Sequence, residues 1–127
     1  MARFATALFA LTSLLCLAAA SPVPEETLEK RASGRGTYFE TGLGACGWTN
    51  TDSDKIIAVS SSIFDGGKYC GQSIQITNTA NGQVAYGTVA DSCPGCGPGD
   101  LDMTPSLFEE LGDLAQGVLP ITWDFEN

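Results

Sequence analysis

Thr88-Val-Ala-Asp-Ser-Cys-Pro-Gly-Cys-Gly-Pro-Gly-Asp-Leu-Asp-Met-Thr-Pro-Ser-Leu-Phe-Glu-Glu-Leu111 organises the rest of the chain. Its first residues are β-branched or small and read as a strand that ends in Asp91. Residues 92–99 then hold two cysteines, three glycines and two prolines, the composition of a tight loop. Asp102 follows, set between Leu101 and Met103. Thr104 is placed to cap a short helix with Pro105 at its first position, and Gly112 to end it. Leu107, Phe108 and Leu111 share one face of that helix, and Glu109 and Glu110 point elsewhere. Two carboxylates, Asp91 and Asp102, thus flank a loop shaped by cysteines and glycines. Asp102 has apolar neighbours in sequence, and desolvation there would raise its pKa and keep a proton available for donation.

Upstream, strict alternation over residues 83–91 puts Val84, Tyr86, Thr88 and Ala90 on one face and Ala85, Gly87, Val89 and Asp91 on the other. Asp91 is therefore expected on the apolar face of Val89. Asn81-Gly82 is a strong hairpin signal because both residues tolerate positive φ. Before it, residues 71–77 alternate, with Ile74 and Ile76 on the half-buried face. Residues 56–59 are a short apolar run, residues 60–64 read either way, and Asp65-Gly66-Gly67 is a turn. Residues 34–39 read as a first strand, residues 40–47 as a glycine-rich loop, and residues 118–125 as a final strand in which Trp123 belongs to the core. Many strands, one short helix and no α/β repeat argue for a small closed barrel.

The ends carry different signals. Residues 1–20 combine Arg3, an apolar run and Ala18-Ala-Ala20, the pattern of a secretory signal peptide cut after Ala20. Residues 21–31, with two prolines and three glutamates, read as a propeptide ending in Lys30-Arg31, a dibasic pair that resembles a kexin-type site and suggests a fungal secretory route. One domain, residues 32–127, remains. After Arg31 only Arg35, Lys55 and Lys68 oppose twelve carboxylates, a net charge of −9. Such a surface repels phosphate backbones and anionic headgroups, so neither nucleic acid nor membrane is an expected partner. Four cysteines follow the leader, Cys46, Cys70, Cys93 and Cys96, and argue for two disulfides in a small secreted domain, with three connectivities open. Cys93 and Cys96 have the spacing of a zinc knuckle. There is no second close pair and no histidine, so neither metal nor cofactor is expected.

Six spaced segments then make a pattern: Gly36-Thr37-Tyr38, Gly44-Ala-Cys-Gly47, Tyr69-Cys70-Gly71, Val89-Ala-Asp-Ser-Cys93, Leu101-Asp-Met-Thr-Pro-Ser-Leu-Phe108 and Gly117-Val-Leu-Pro-Ile-Thr-Trp123. Together they resemble the expansin, barwin and rare-lipoprotein-A superfamily, and most closely its single-domain fungal members, the loosenins. The resemblance implies an all-β, six-stranded double-psi β-barrel with one or two short helices and two disulfides. It implies Cys46–Cys70, which leaves Cys93 with Cys96. It also assigns residues: the threonine of the first strand is Thr37, the aspartate ending the central strand is Asp91, and the acid of the related family-45 endoglucanases is Asp102. Two positions depart from the pattern, since the His-Phe-Asp of plant expansins is Asp100-Leu101-Asp102 here, and an aromatic after the first aspartate is Cys93. No second domain with an aromatic platform is found in this sequence.

Hydrolysis of a glycosidic bond needs an acid and an opposed base or nucleophile. Asp102 can supply the acid and Asp91 can orient it. Glu40, the acidic residue nearest the first strand, lies one position short of the base in the related endoglucanases. Tyr38, Trp48 and Tyr86 are candidates for stacking on sugar rings. The expectation is a secreted, monomeric protein that binds cell-wall polysaccharide (cellulose, chitin or a related glycan) and loosens it without hydrolysis. The rivals are a family-45-type endoglucanase or lytic glycosidase using Asp102 as acid, and a papain-like cysteine protease inhibitor, with a host protease as partner, or a secreted effector.

Overall fold

Six strands close into a barrel in the computed structural model, which describes residues 31–126: β1 (Arg31–Tyr38), β2 (Ile56–Ser60), β3 (Ser73–Asn78), β4 (Val84–Cys93), β5 (Leu101–Met103) and β6 (Leu119–Phe125). Around the barrel the order is β1–β5–β2–β4–β3–β6, closing back on β1. β1 runs parallel to β5, and β2 parallel to β4, while the other four pairings are antiparallel. A closed, mixed, six-stranded barrel of this kind is the double-psi architecture implied by the sequence motifs. The expected signal peptide, and the propeptide as far as Lys30, lie outside the described residues. Arg31 opens β1, where its backbone is in register with Asp124, so the first strand starts three residues earlier than its aromatic cluster suggests.

The core follows from alternation. Ile74 and Ile76 on β3, Leu101 and Met103 on β5, and Leu119 and Ile121 on β6 all turn inward and are at most 2% exposed. Ile57, Val59 and Val89 complete the same cluster. One end is closed by a short helix, α2 (Pro105–Glu109), whose Leu107 and Phe108 are fully buried. The helix packs over Gly87, where a Cβ would stand 2.6 Å from Leu107 Cδ2 and 2.8 Å from Ile57 Cδ1. That contact explains a glycine in the middle of a strand. Trp123 is buried as expected and donates its indole N–H to the carbonyl of Gly99 at 2.9 Å.

Several local expectations change. The ambiguous residues after β2 form a single helical turn, α1 (Ser61–Phe64), followed by a 3₁₀ turn over Asp65–Gly67. Thr104 stands at the helix N-cap but makes no capping bond. Its hydroxyl instead accepts the Ile56 N–H at 3.4 Å, since the first residue of β2 leaves that donor beside it. In the β3–β4 hairpin only Gly82 has positive φ, because the loop spans four residues between Asn78 and Gln83 rather than turning on Asn81-Gly82 alone. Asn78 and Asn81 spend their side-chain amides on the Leu111 carbonyl, which ties the hairpin to the end of the helical region.

Both disulfides of the expected pairing are present, Cys46–Cys70 with a sequence separation of 24 and Cys93–Cys96 with a separation of 3. In the chain-entropy account the first stabilises the fold by about 3.5 kcal/mol and the second by about 2 kcal/mol. The longer bridge joins the glycine-rich loop to the segment entering β3, and the shorter one closes the loop after β4.

Candidate functional site

β2 and β4 do not pair residue for residue. Ile57 faces Val89, but Ala58 faces Asp91, so Ala90 is an extra residue in β4. A bulge of this kind reverses the inward-outward alternation beyond it. Strict alternation placed Asp91 on the face of Val89; the bulge moves it to the outer face, in register with Ala58. Ala58 is also in register with Asp102 on β5, and Asp102 with Thr37 on β1. Thr37, Asp102, Ala58 and Asp91 therefore form one row across four neighbouring strands. At about 4.8 Å per strand, the α-carbons of the two aspartates are ~10 Å apart, with only a methyl group between them.

Asp102 is the centre of this row. Its carboxylate accepts the Thr37 hydroxyl at 2.8 Å. Partial burial pushes its pKa above the usual aspartate value, the Thr37 hydrogen bond works against that rise, and the nearby charge of Asp91 adds to it. Asp102 is thus better suited than an ordinary aspartate to hold a proton and give it to a bound hydroxyl or ether oxygen. Asp91 is engaged differently: one of its oxygens accepts the backbone N–H of Ala45 and that of Ser92, each at 2.8 Å. Gly44 makes this docking possible, since a Cβ there would fall 2.5 Å from the Ala90 carbonyl oxygen. Asp91 accordingly anchors the loop of residues 42–48 to the barrel and biases Asp102 through its charge.

A surface cavity of about 290 Å³ opens beside Asp102, lined by Arg35, Thr37, Cys93, Gly95, Cys96, Asp100 and Asp102. The volume is at the low end of small-ligand sites (~300–1,000 Å³), enough for a short segment of a polymer. Its walls are β1 on one side and the disulfide-closed loop on the other. Asp100 joins the two, accepting the Arg35 N–H at 2.9 Å and the Gly97 N–H at 3.0 Å. The Arg35 guanidinium lies 3.6 Å from the same carboxylate and is largely exposed. The Arg35 N–H and that of Gly97, with the guanidinium charge, hold the pKa of Asp100 below the usual range. Sequence reasoning singled out neither Arg35 nor Asp100 as a site residue. The available signal was Asp100 two positions before Asp102, on the same face of an extended chain.

The remaining candidates lie outside the cavity. Tyr38 leans on Phe108 with ring centroids 4.8 Å apart and donates its hydroxyl to the Leu114 carbonyl. Tyr86 sits on the outer face of β4, about half exposed, its hydroxyl accepting from the Gln75 amide at 2.9 Å. Trp48 covers Gly71 beside the longer disulfide and keeps a large exposed face. Glu40 is exposed in the loop after β1, beyond the last residue in register with β5. The structure therefore brings together Thr37 and Asp102, with Asp91 alongside, and leaves Glu40 and the three aromatics apart from them.

No family model matches the chain. The allergen Asp f 7 of Aspergillus fumigatus is 36% identical over 99 residues, covering 72% of this chain and 36% of that protein. A crystallised mutant of the expansin of Clavibacter michiganensis, in complex with cellohexaose, superposes with a TM-score of 0.69 at 29% identity, covering 76% of this chain and 50% of that one. The Streptomyces papain inhibitor superposes with a TM-score of 0.68 at 27% identity, covering 76% of this chain and 94% of the inhibitor. This chain spans about a third of the length of the Aspergillus relative and half that of the crystallised expansin. The six sequence motifs, the closed mixed barrel, the pairing of the four cysteines and these similarities agree: the chain belongs to the expansin/barwin-like double-psi β-barrel superfamily.

Proposed function

We propose that this is a secreted, monomeric, loosenin-like protein that binds a cell-wall polysaccharide of the cellulose or chitin type and disturbs its packing without hydrolysis. The observation that carries the reading is the Thr37–Asp102 pair at an open cavity, an acid whose pKa lies above the usual aspartate value and which, among the described residues, shares the cavity lining with one other carboxylate, Asp100. Asp100 is engaged by the Arg35 and Gly97 N–H groups and by the Arg35 guanidinium, which hold it as a charged acceptor between the two walls. One oxygen of Asp91 is taken by the Ala45 and Ser92 N–H groups, and Asp91 does not line the cavity. An inverting glycosidase needs its two carboxyls on opposite faces of the sugar with a water between them, and a retaining one needs a nucleophile at the anomeric carbon. An acid alone can exchange hydrogen bonds with a glycan's hydroxyls and ring oxygens, which loosens chain-to-chain contacts and leaves the bonds whole. The cellohexaose complex of the crystallised expansin supports a β-glucan partner, and two disulfides fit an oxidising compartment. Secretion would follow from the leader, with processing after Ala20 and at Lys30-Arg31.

Pull-down on cellulose, chitin and peptidoglycan, together with reducing-sugar release from soluble glucan, tests this. Wild type should be retained on at least one polymer and release no sugar, and Asp102→Asn should lose most of the loosening effect. Failure to bind any polymer would sink the reading, and sugar release abolished by Asp102→Asn would replace it with hydrolysis. One observation favours a second reading: the fold matches nearly the whole Streptomyces papain inhibitor, and the loop of residues 42–48 holds out Leu43 at 75% exposure. Inhibition of papain that survives Asp102→Asn and is lost on Leu43→Asp would move the function to that loop.

A further inference from the structure

We propose that the Cys93–Cys96 disulfide is a thiol-exchange site that controls access to the Asp102 cavity, while Cys46–Cys70 is the permanent staple of the fold. Cys93 and Cys96 line the same cavity as Asp102 and Arg35, and the two residues nearest the bridge, Pro94 and Gly95, are exposed. A reagent entering the cavity therefore meets this bridge. The flanks of the bridge are anchored independently of it. Cys93 ends β4 in register with Ser60, and Gly97 is fixed by donating to Asp100 and accepting the Asp100 N–H. Opening the bridge consequently frees only residues 94–96, one wall of the cavity. It removes little else, because a bridge across a separation of 3 restricts the unfolded chain far less than one across 24.

The exchange balances with a small thiol as reductant. A thiolate attacks one sulfur, the S–S bond breaks, and the other cysteine departs as a thiolate and takes up a proton. A second thiol resolves the mixed disulfide, so two thiols become one disulfide and Cys93 and Cys96 gain two electrons and two protons. The exposed Arg35 guanidinium offers positive charge to the approaching and departing thiolates. Asp102, which holds its proton more firmly than an ordinary aspartate, lines the same cavity as a proton source.

The test uses the oxidised protein in graded mixtures of reduced and oxidised glutathione, trapped with iodoacetamide and mapped by mass spectrometry. Amide hydrogen exchange and cellohexaose binding are followed in parallel. Cys93 and Cys96 should be alkylated under conditions that leave Cys46–Cys70 closed. Exchange should rise at Gly95 and Cys96 far more than at Gly97 or in the strands, and cellohexaose affinity should fall at least several-fold. The double variant Cys93→Ser/Cys96→Ser should show the same exchange and affinity without added thiol. Opening of Cys46–Cys70 first or together with Cys93–Cys96, loss of protection across the strands, or selective reduction with unchanged affinity would each overturn the proposal. The glycan arm rests on the function proposed above; if the oxidised protein binds no cellohexaose, that function fails, and the alkylation order and exchange pattern still decide the exchange site.

Discussion

Thr37→Val removes one hydroxyl from the centre of the site and keeps the shape of the side chain. The hydroxyl donates to Asp102 at 2.8 Å in a partly buried setting. Hydrogen bonds to a charged group are worth ~1.5–3 kcal/mol, and partial solvent access places this one at the lower end, about 1.5 kcal/mol at pH 7. For a fold of roughly 100 residues, where each kcal/mol moves the midpoint by ~4–8 °C, Tm should fall by roughly 6–12 °C. The sign of the pH dependence follows from the raised pKa of Asp102. With the folded pKa above the unfolded one, the stability linked to this proton is fully present below the unfolded pKa of about 3.9 and is lost as pH rises through the folded pKa. The Thr37 hydroxyl holds the folded pKa down, so Thr37→Val raises it further and extends the loss to higher pH. The variant should therefore be clearly destabilised at pH 7 and much less so at pH 3, where Asp102 is largely protonated in both proteins. Guanidinium unfolding followed by tryptophan fluorescence at the two pH values, with an NMR titration of the Asp102 carboxyl, measures both quantities. Thr37→Ser, which keeps the donor, should restore the titration. Equal destabilisation at pH 3 and pH 7, or an Asp102 titration that does not move, would refute the electrostatic role given to Thr37.

Gly87→Ala forces a methyl group into the fully buried Leu107 and Ile57 side chains, and should cost ~1–3 kcal/mol in chemical denaturation. A neutral result would mean that the helical cap moves freely over β4. Replacing Cys46 and Cys70 together by serine should cost about 3.5 kcal/mol in the same measurement, more than the pair Cys93 and Cys96, which should cost about 2 kcal/mol. The reverse order would show that native contacts of the short loop outweigh chain entropy.

The row of Thr37, Asp102, Ala58 and Asp91 explains how two distant segments produce one site. β1 and β5 lie side by side as a parallel pair although three strands separate them in sequence, and the register puts position 37 beside position 102. The apolar residues at 101 and 103 fill the barrel, which forces Asp102 outward. The outward position of Asp102 is a by-product of core packing: the residue between two buried neighbours has nowhere else to point.

Local signals determined much of this protein. Period-two alternation marked Ile74 and Ile76 as inward and delimited β3 and β4 to within two residues, because up to a bulge the alternation of a strand is written in its own sequence. The helix face of Leu107, Phe108 and Leu111 was equally legible. Tertiary structure alone decided three things. The bulge at Ala90, which carries Asp91 to the outer face, arises from a mismatch between β4 and β2, and no pattern within β4 reveals how its partner is aligned. The Arg35–Asp100 link depends on chain segments 65 residues apart meeting at the cavity. Four cysteines leave three pairings open until the barrel sets which thiols approach one another, since disulfide geometry is a condition on space and sequence spacing only limits it.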